Sequence, residues 1–259
     1  MSVRPKRELG QHFLADPNIL DVAGRLADLR PDDVVLEVGA GLGVLTIYLA
    51  DRVAHVHAVE FDRGLEATLR DALTGRENVE LVIGDALALP LGELNPPPTK
   101  LVANLPYSIA TPLVVESLDG LPTVAQWCVM VQREVADRFF ASPGTKAYGG
   151  VSVLIQLATE RTGLHPVSRS VFRPPPNVDS ALVAFRRTQL PPRYADVKRV
   201  VEAAFAHRRK TLVNSLELSG VAKKDNAATA LAQIGREPNV RAERLLPQEF
   251  VALTDALLG

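Results

Sequence analysis

Asn104-Leu105-Pro106-Tyr107 follows the apolar run Lys100-Leu101-Val102-Ala103, and these four residues could hold an amino group carried on a flat ring. A strand that ends in Asn and then presents the next carbonyl offers two acceptors side by side above an aromatic surface. Adenine N6 carries two hydrogens. With Asn104 Oδ1 taking one and the Leu105 carbonyl the other, the nitrogen lone pair is held away from the ring and aimed at an electrophile. Pro106 has no N–H and a fixed φ, which stiffens the turn, and Tyr107 can stack on a base. The same residues also suit a plain strand-to-loop junction closed by a Pro turn, so their surroundings must decide.

The electrophile needs a site of its own. Val34 to Val38 reads as a buried strand running into Gly39-Ala40-Gly41-Leu42-Gly43, with a helix beginning near Val44. Glycines there let backbone approach a ligand at a helix N-terminus. Glu60 ends the next strand, where carboxylate oxygens can take both hydroxyls of a ribose, as they would equally in a dinucleotide site. Two features favour S-adenosylmethionine instead. The loop is G-x-G-x-G rather than G-x-G-x-x-G, and Asp85-Ala86 ends the third strand, where an adenine amino group can bind. Taken singly, Glu60 also suits a solvated strand end and Asp85 a helix N-cap. With Asn104 at the tip of the fourth strand, they form one socket.

The elements that must position these residues alternate in kind. Val34–Val38, His55–Val59, Val79–Ile83, Leu101–Ala103 and Gln126–Val131 read as buried strands. Gly43–Arg52, Arg63–Leu73, Thr111–Leu118 and Arg133–Phe140 read as helices between and after them, the signature of βαβ units around a parallel sheet. Val151–Glu160 fits helix or strand, Ser180–Arg186 reads as an edge strand, and Arg173-Pro174-Pro175-Pro176-Asn177 as a stiff loop. After Leu190-Pro191-Pro192, the segments Val197–Ala206, Lys210–Leu218, Asn226–Ile234 and Gln248–Leu258 read as helices, with no strand among them. The expected architecture is therefore α/β: a Rossmann-like class I methyltransferase sheet with helices on both faces over 1–188, plus a small all-helical domain over 189–259.

Composition narrows the partners. The chain has 259 residues, 47% of them hydrophobic, and a net charge of −1, so any nucleic-acid binding must come from a local patch. Basic residues cluster at Arg4, Lys6 and Arg7, at Arg186, Arg187, Arg193, Lys198 and Arg199, and at Arg208-Arg209-Lys210. The single cysteine, Cys128, excludes an internal disulfide and any cysteine-based zinc site, and suits a reducing cytoplasm. No export signal or membrane span is expected. His55 and His57 alternate on a predicted strand but make only a pair, so no metal is expected.

These residues resemble those of the ribosomal RNA adenine dimethyltransferases, the KsgA family, along nearly the whole chain. Leu9-Gly10-Gln11-His12-Phe13-Leu14 is similar to the family's N-terminal cofactor motif, Glu37 to Thr46 to its glycine loop, and Asn104 to Tyr107 to its catalytic loop. Val131 to Ala136, Val171 to Ser180 and Arg208 to Asn214 match further motifs. The resemblance implies that His12, Leu14, Gly39, Gly41, Glu60, Asp85, Ala86 and Asn104 hold S-adenosylmethionine, and that Tyr107 and Phe172 sandwich a flipped adenine. It implies dimethylation at N6 of two adjacent adenosines in the 3′-terminal hairpin loop of small-subunit (16S) rRNA during subunit biogenesis, by a cytoplasmic monomer. Arg133, Arg173, Arg208, Arg209 and Lys210 are the candidates for phosphate contacts. Ala40, Ser108 and Phe61 depart from the family pattern. The rival within the same chemistry is the resistance type that modifies large-subunit rRNA; the rival outside it is a factor that checks subunit assembly.

Overall fold

The computed structural model describes Lys6 and residues 11–259. Leu9, Gly10, Arg4 and Arg7 of the motifs above lie outside the described residues. The chain forms two compact units. The first takes the residues up to Ala136 together with Glu160–Arg187, and the second Asp137–Thr159 together with Thr188–Gly259.

In the first unit the elements run β1 (Phe13–Leu14), α1 (Pro17–Leu26), β2 (Val34–Val38), α2 (Val44–Ala50), β3 (His55–Glu60), α3 (Glu66–Ala72), β4 (Val79–Ile83), β5 (Lys100–Asn104), α4 (Ala110–Gly120) and β6 (Gln126–Gln132), with α5 (Arg133–Phe139) leading out. After the second unit's α6 (Gly150–Ala158) the chain returns through β7 (Thr159–Val167), β8 (Phe172–Arg173) and β9 (Ser180–Arg187). Seven strands form one sheet in the order β4-β3-β2-β5-β6-β9-β7. The first five are parallel and β9 runs antiparallel to β6. β2 is buried at every position, as a central strand covered on both faces must be. On one face α1, α2 and α3 supply Leu20, Leu49 and Leu69 to a core with Val35, Val56 and Met130. On the other, Trp127 Nε1 donates to Ser117 Oγ of α4 at 2.8 Å, which satisfies both polar atoms inside that layer.

After β4 the chain crosses back to lay β5 beside β2, so the carboxyl tips of β2 and β5 diverge into a crevice. Ligands of open α/β sheets bind at such a switch point.

The second unit continues with α7 (Tyr194–Ala206), α8 (Leu212–Leu218), α9 (Lys224–Gln233) and α10 (Pro247–Leu258). A Cβ on Gly150 would lie 3.4 Å from Val201 and 3.6 Å from Phe205, so α6 and α7 meet closely there. The Tyr148 hydroxyl donates to the Leu245 carbonyl at 2.8 Å, and Phe205 packs between the Tyr148 and Phe250 rings.

The structure departs from the sequence reading in four places. Val151–Glu160 is mostly helix, and residues 137–159 belong with the C-terminal helices rather than with the sheet, because their apolar side chains pack there. Ser180–Arg187 is interior, not an edge: β7 lies outside it. β7 escaped notice because its middle is exposed and polar and it carries Gly163 and Pro166, the composition of a protected sheet border. Arg208-Arg209-Lys210 occupies the turn before α8 rather than a helix, since the Thr211 hydroxyl caps α8 by accepting from Asn214 N–H and fixes its start after the basic residues.

Candidate active site

The tips of β2, β3, β4 and β5 enclose a cavity of about 310 Å³, within the size range of small-ligand sites. Each strand contributes one turn. After β2, Gly39 has φ +85° and Gly41 φ +61°, a region that L side chains enter only at a cost. Gly39 also lies under the loop after β5: a Cβ there would sit 3.0 Å from Pro106 Cδ and 3.4 Å from the Asn104 carbonyl. The glycine turn and the Asn-Leu-Pro-Tyr turn are thus in contact.

Glu60, at the tip of β3, is 6% exposed. Its Oε2 accepts from Gly41 N–H and its Oε1 from Asp62 N–H, both at 2.8 Å. Burial pushes its carboxyl above the usual carboxylate range, against those two N–H groups. One lone pair on each oxygen remains for a diol. At the tip of β4, Asp85 is exposed and accepts from Leu87 N–H through Oδ1 at 3.0 Å. It therefore caps its own turn and still presents its other oxygen beside Gly84 and Ala86, which line the cavity.

Residues 11–14 form a strap along the cavity. Gln11 Nε2 donates to Asp62 Oδ2 at 2.9 Å, and Lys6 Nζ to Asp62 Oδ1 at 2.7 Å. Burial would raise the Asp62 carboxyl, but the Lys6 ammonium, the Gly64 N–H and the Gln11 amide outweigh it and hold the group below the usual range. His12 Nδ1 donates to the Pro174 carbonyl at 2.8 Å, and β1 pairs with β8, Leu14 opposite Phe172. His12 and Leu14 line the cavity beneath this strap.

The strap also orients Asn104, whose Nδ2 donates to the His12 carbonyl at 3.3 Å. That contact faces the amide nitrogen away and leaves Oδ1 without a donor among the described residues. Leu105 is 1% exposed, its N–H given to the Met130 carbonyl at 3.1 Å; its carbonyl takes no hydrogen bond from the described residues. Both residues line the cavity, each with an acceptor that takes no hydrogen bond from the described residues. Tyr107 lines the same wall and bonds to Ser180 Oγ at 2.7 Å.

Phe172 does not join them. It is 1% exposed and belongs to the core cluster, because its pairing in β8 turns the ring inward; in this arrangement it presents no face to a base. Of that expected pair, Tyr107 lines the cavity. Arg133 and Arg173 are exposed, Arg173 donating to the Ser170 and Phe172 carbonyls at 2.9 Å. Arg208, Arg209 and Lys210 are exposed in the second unit.

One further cavity residue, Glu37, is marked in the sequence only as the first residue of the glycine-loop motif. Glu37, in the middle of β2, is 1% exposed, and its Oε2 has no hydrogen-bond partner. Burial, with Glu60 adding to it, pushes this carboxyl up to about 8. The available signal was a lone acid inside Val34-Val35-Leu36-Glu37-Val38. An orphaned carboxyl, a glycine cradle without room for Cβ atoms and a carboxylate set for a diol fit a nucleoside cofactor that bears a cationic tail.

Comparison with known proteins gives the chain a family. The chain matches the ribosomal RNA adenine dimethylase family over residues 3–253. It is 48% identical over 251 residues to ribosomal RNA small subunit methyltransferase A of Rubrobacter xylanophilus, covering 96% of this chain and 94% of that protein. It is 44% identical to the protein of the same name from Pelotomaculum thermopropionicum, covering 99% and 92%. Among solved structures, a dimethyladenosine transferase from Plasmodium falciparum superposes with a TM-score of 0.77 at 24% identity, over 93% of this chain and 96% of that one. The 23S rRNA methyltransferase ErmE superposes with a TM-score of 0.69 at 28% identity, over 95% and 100%.

Proposed function

The chain belongs to the ribosomal RNA adenine dimethylase family, and from that premise we propose how its own residues carry the reaction. The protein is an S-adenosylmethionine-dependent rRNA adenine dimethyltransferase of the small subunit. We infer that its targets are the two adjacent adenosines of the 3′-terminal hairpin loop of 16S rRNA.

S-adenosylmethionine supplies a methyl group on a sulfonium that is already a good leaving group, so the protein needs no strong base. What remains is alignment and charge. Glu60 would take the ribose hydroxyls and Asp85 and the Ala86 turn the adenine of the cofactor, with the Gly39–Gly41 turn and the backbone at His12 and Leu14 available to hold the rest. The free Asn104 Oδ1 and the Leu105 carbonyl accept the two N6 hydrogens of the target base, which favours a pyramidal amine and stabilises the positive charge that develops on it. Pro106 holds that turn against Gly39. The target must leave its stack, a cost of a few kcal/mol that stacking on Tyr107 offsets. We assign phosphate contacts to Arg133 and Arg173 beside the site and to Arg208, Arg209 and Lys210 in the second unit. We infer action as a monomer in a reducing cytoplasm, which the buried free thiol of Cys128 suits. Among the described residues no helix is long and apolar enough to cross a membrane.

The observation that carries this reading is the Asn104 amide, whose Nδ2 donates to the His12 carbonyl and leaves Oδ1 free of donors among the described residues. The test is transfer of labelled methyl groups to unmethylated small subunits, with large subunits in parallel and the labelled nucleosides identified. Dimethyladenosine at two neighbouring positions of small-subunit RNA is expected. Label in large-subunit RNA, or at a single adenosine, would contradict the target assigned here.

A further inference from the structure

Three potential metal ligands meet at the other end of the sheet. His55 and His57 point to the same face of β3, and the parallel register sets Glu80 of β4 opposite His57. The His57 and Glu80 ligand atoms, Nδ1 and Oε2, are 2.8 Å apart, and His55 Nε2 lies 4.0 Å from the same Glu80 oxygen. One nitrogen or oxygen from each of the three lies within 4.8 Å of the others. The site is three residues or more from the Glu60 tip, on the order of 10 Å along the strand.

The protons decide what this cluster can hold. His57 is wholly buried, and its Nε2 is 2.7 Å from the Pro96 carbonyl. A carbonyl can only accept, so Nε2 carries a hydrogen. At Nδ1, 2.8 Å from the Glu80 carboxylate, a cation must lie between two electron-pair donors, either a proton or a metal ion. His55 Nε2 is itself buried without a hydrogen-bond partner. His55 Nε2, His57 Nδ1 and Glu80 Oε2 lie close enough for one metal ion to engage all three, whereas a proton on His57 Nδ1 would leave His55 Nε2 without a partner. The Pro96 carbonyl would serve as the outer partner that fixes the tautomer of a ligating histidine. Glu80 is half exposed, which gives an entry path from solvent and room for water in the remaining position.

We propose that His55, His57 and Glu80 form a binding site for a divalent transition metal of zinc type, separate from the methyl-transfer site. Imidazole and carboxylate ligands without thiolate suit zinc and its spectroscopic substitute cobalt. The site clamps β3 to β4 at their amino ends and takes no part in the chemistry at the carboxyl ends. Sequence spacing shows only the histidine pair; the third ligand becomes visible through strand register.

The test uses the full chain, freed of metal by chelation and titrated with Co²⁺ and then Zn²⁺. One equivalent of Co²⁺ is expected to bind with the intense visible bands of a low-coordinate ion, to be displaced by Zn²⁺, and to raise Tm. His55→Ala and Glu80→Gln, at partly exposed positions outside the methyl-transfer site, should each weaken binding by roughly tenfold or more, while S-adenosylmethionine affinity stays at the parent value. Absence of saturable binding at one equivalent, or binding indifferent to both substitutions, overturns the proposal. So does a nitrogen-15 spectrum that shows a proton on His57 Nδ1 persisting in excess Zn²⁺, since a proton would then be the cation in the cluster.

Discussion

At the scale of single residues the site separates two jobs that one side chain could not perform together. Asn104 must be rigid and keep an acceptor free, and it does both by spending its amide N–H on the His12 carbonyl. Asn104→Ala should lower kcat by about 10²-fold, the usual loss when one preorganised polar contact to a transition state is removed. Calorimetric affinity for S-adenosylmethionine should move far less, and unchanged turnover would remove Asn104 from the reacting centre. Glu37 makes a different prediction. Its folded-state value near 8 lies above its ordinary 4.5, so the folded chain binds the extra proton between those limits and loses stability as pH rises through them, about 1.4 kcal/mol for each pH unit at full effect. Tm of the ligand-free parent should fall between pH 5 and pH 8, and Glu37→Gln should flatten that fall; parallel curves would refute it. The strand-tip residues were legible in the sequence because each follows an apolar run at a predictable place. Glu37 and Phe172 were not. A buried acid inside a strand carries no local mark of which way it faces, and the side of Phe172 is set by a pairing with Leu14 some 160 residues away.

At the scale of elements, two turns from strands far apart in sequence share one contact, Gly39 against Pro106. Gly39→Ala adds both a strained φ and a collision at 3.0 Å. Gly75, with φ +79° and nothing within 4 Å of its would-be Cβ, isolates the first effect. Both substitutions should cost roughly 1–2 kcal/mol of stability from the left-handed backbone, but only Gly39→Ala should also reduce kcat and cofactor affinity by moving the Asn104 turn. Equal activity in the two variants would show that the contact does not position the catalytic turn. Buried parallel strands were readable because continuous apolar runs leave little choice. β7 was not, since a border strand with one wet face and a proline has the composition of a loop, and the interior place of β9 depends entirely on recognising it.

At the scale of the whole molecule, a net charge of −1 provides no general attraction for RNA, so affinity must rest on local cations. Replacing Arg208, Arg209 and Lys210 with glutamine should lower the slope of log affinity against log salt by roughly 0.7–0.9 per lost phosphate contact, while methylation of a saturating short RNA hairpin changes little. An unaltered slope would give that turn another role. The helical character of the C-terminal region was plain from its sequence, but the membership of residues 137–159 was not, because their partners lie beyond a whole excursion through β7, β8 and β9. That arrangement bears on how the chain is made. As it leaves the ribosome at about 5–20 residues per second, α6 emerges before any of α7 to α10 exists, and its apolar face stays uncovered for seconds while the rest of the sheet is completed. Nascent chains stalled near residue 190 should therefore be cut by protease around 137–159 and be held by chaperones there, and both effects should vanish once α10 has emerged; protection from the outset would mean that this stretch finds a temporary shelter during synthesis.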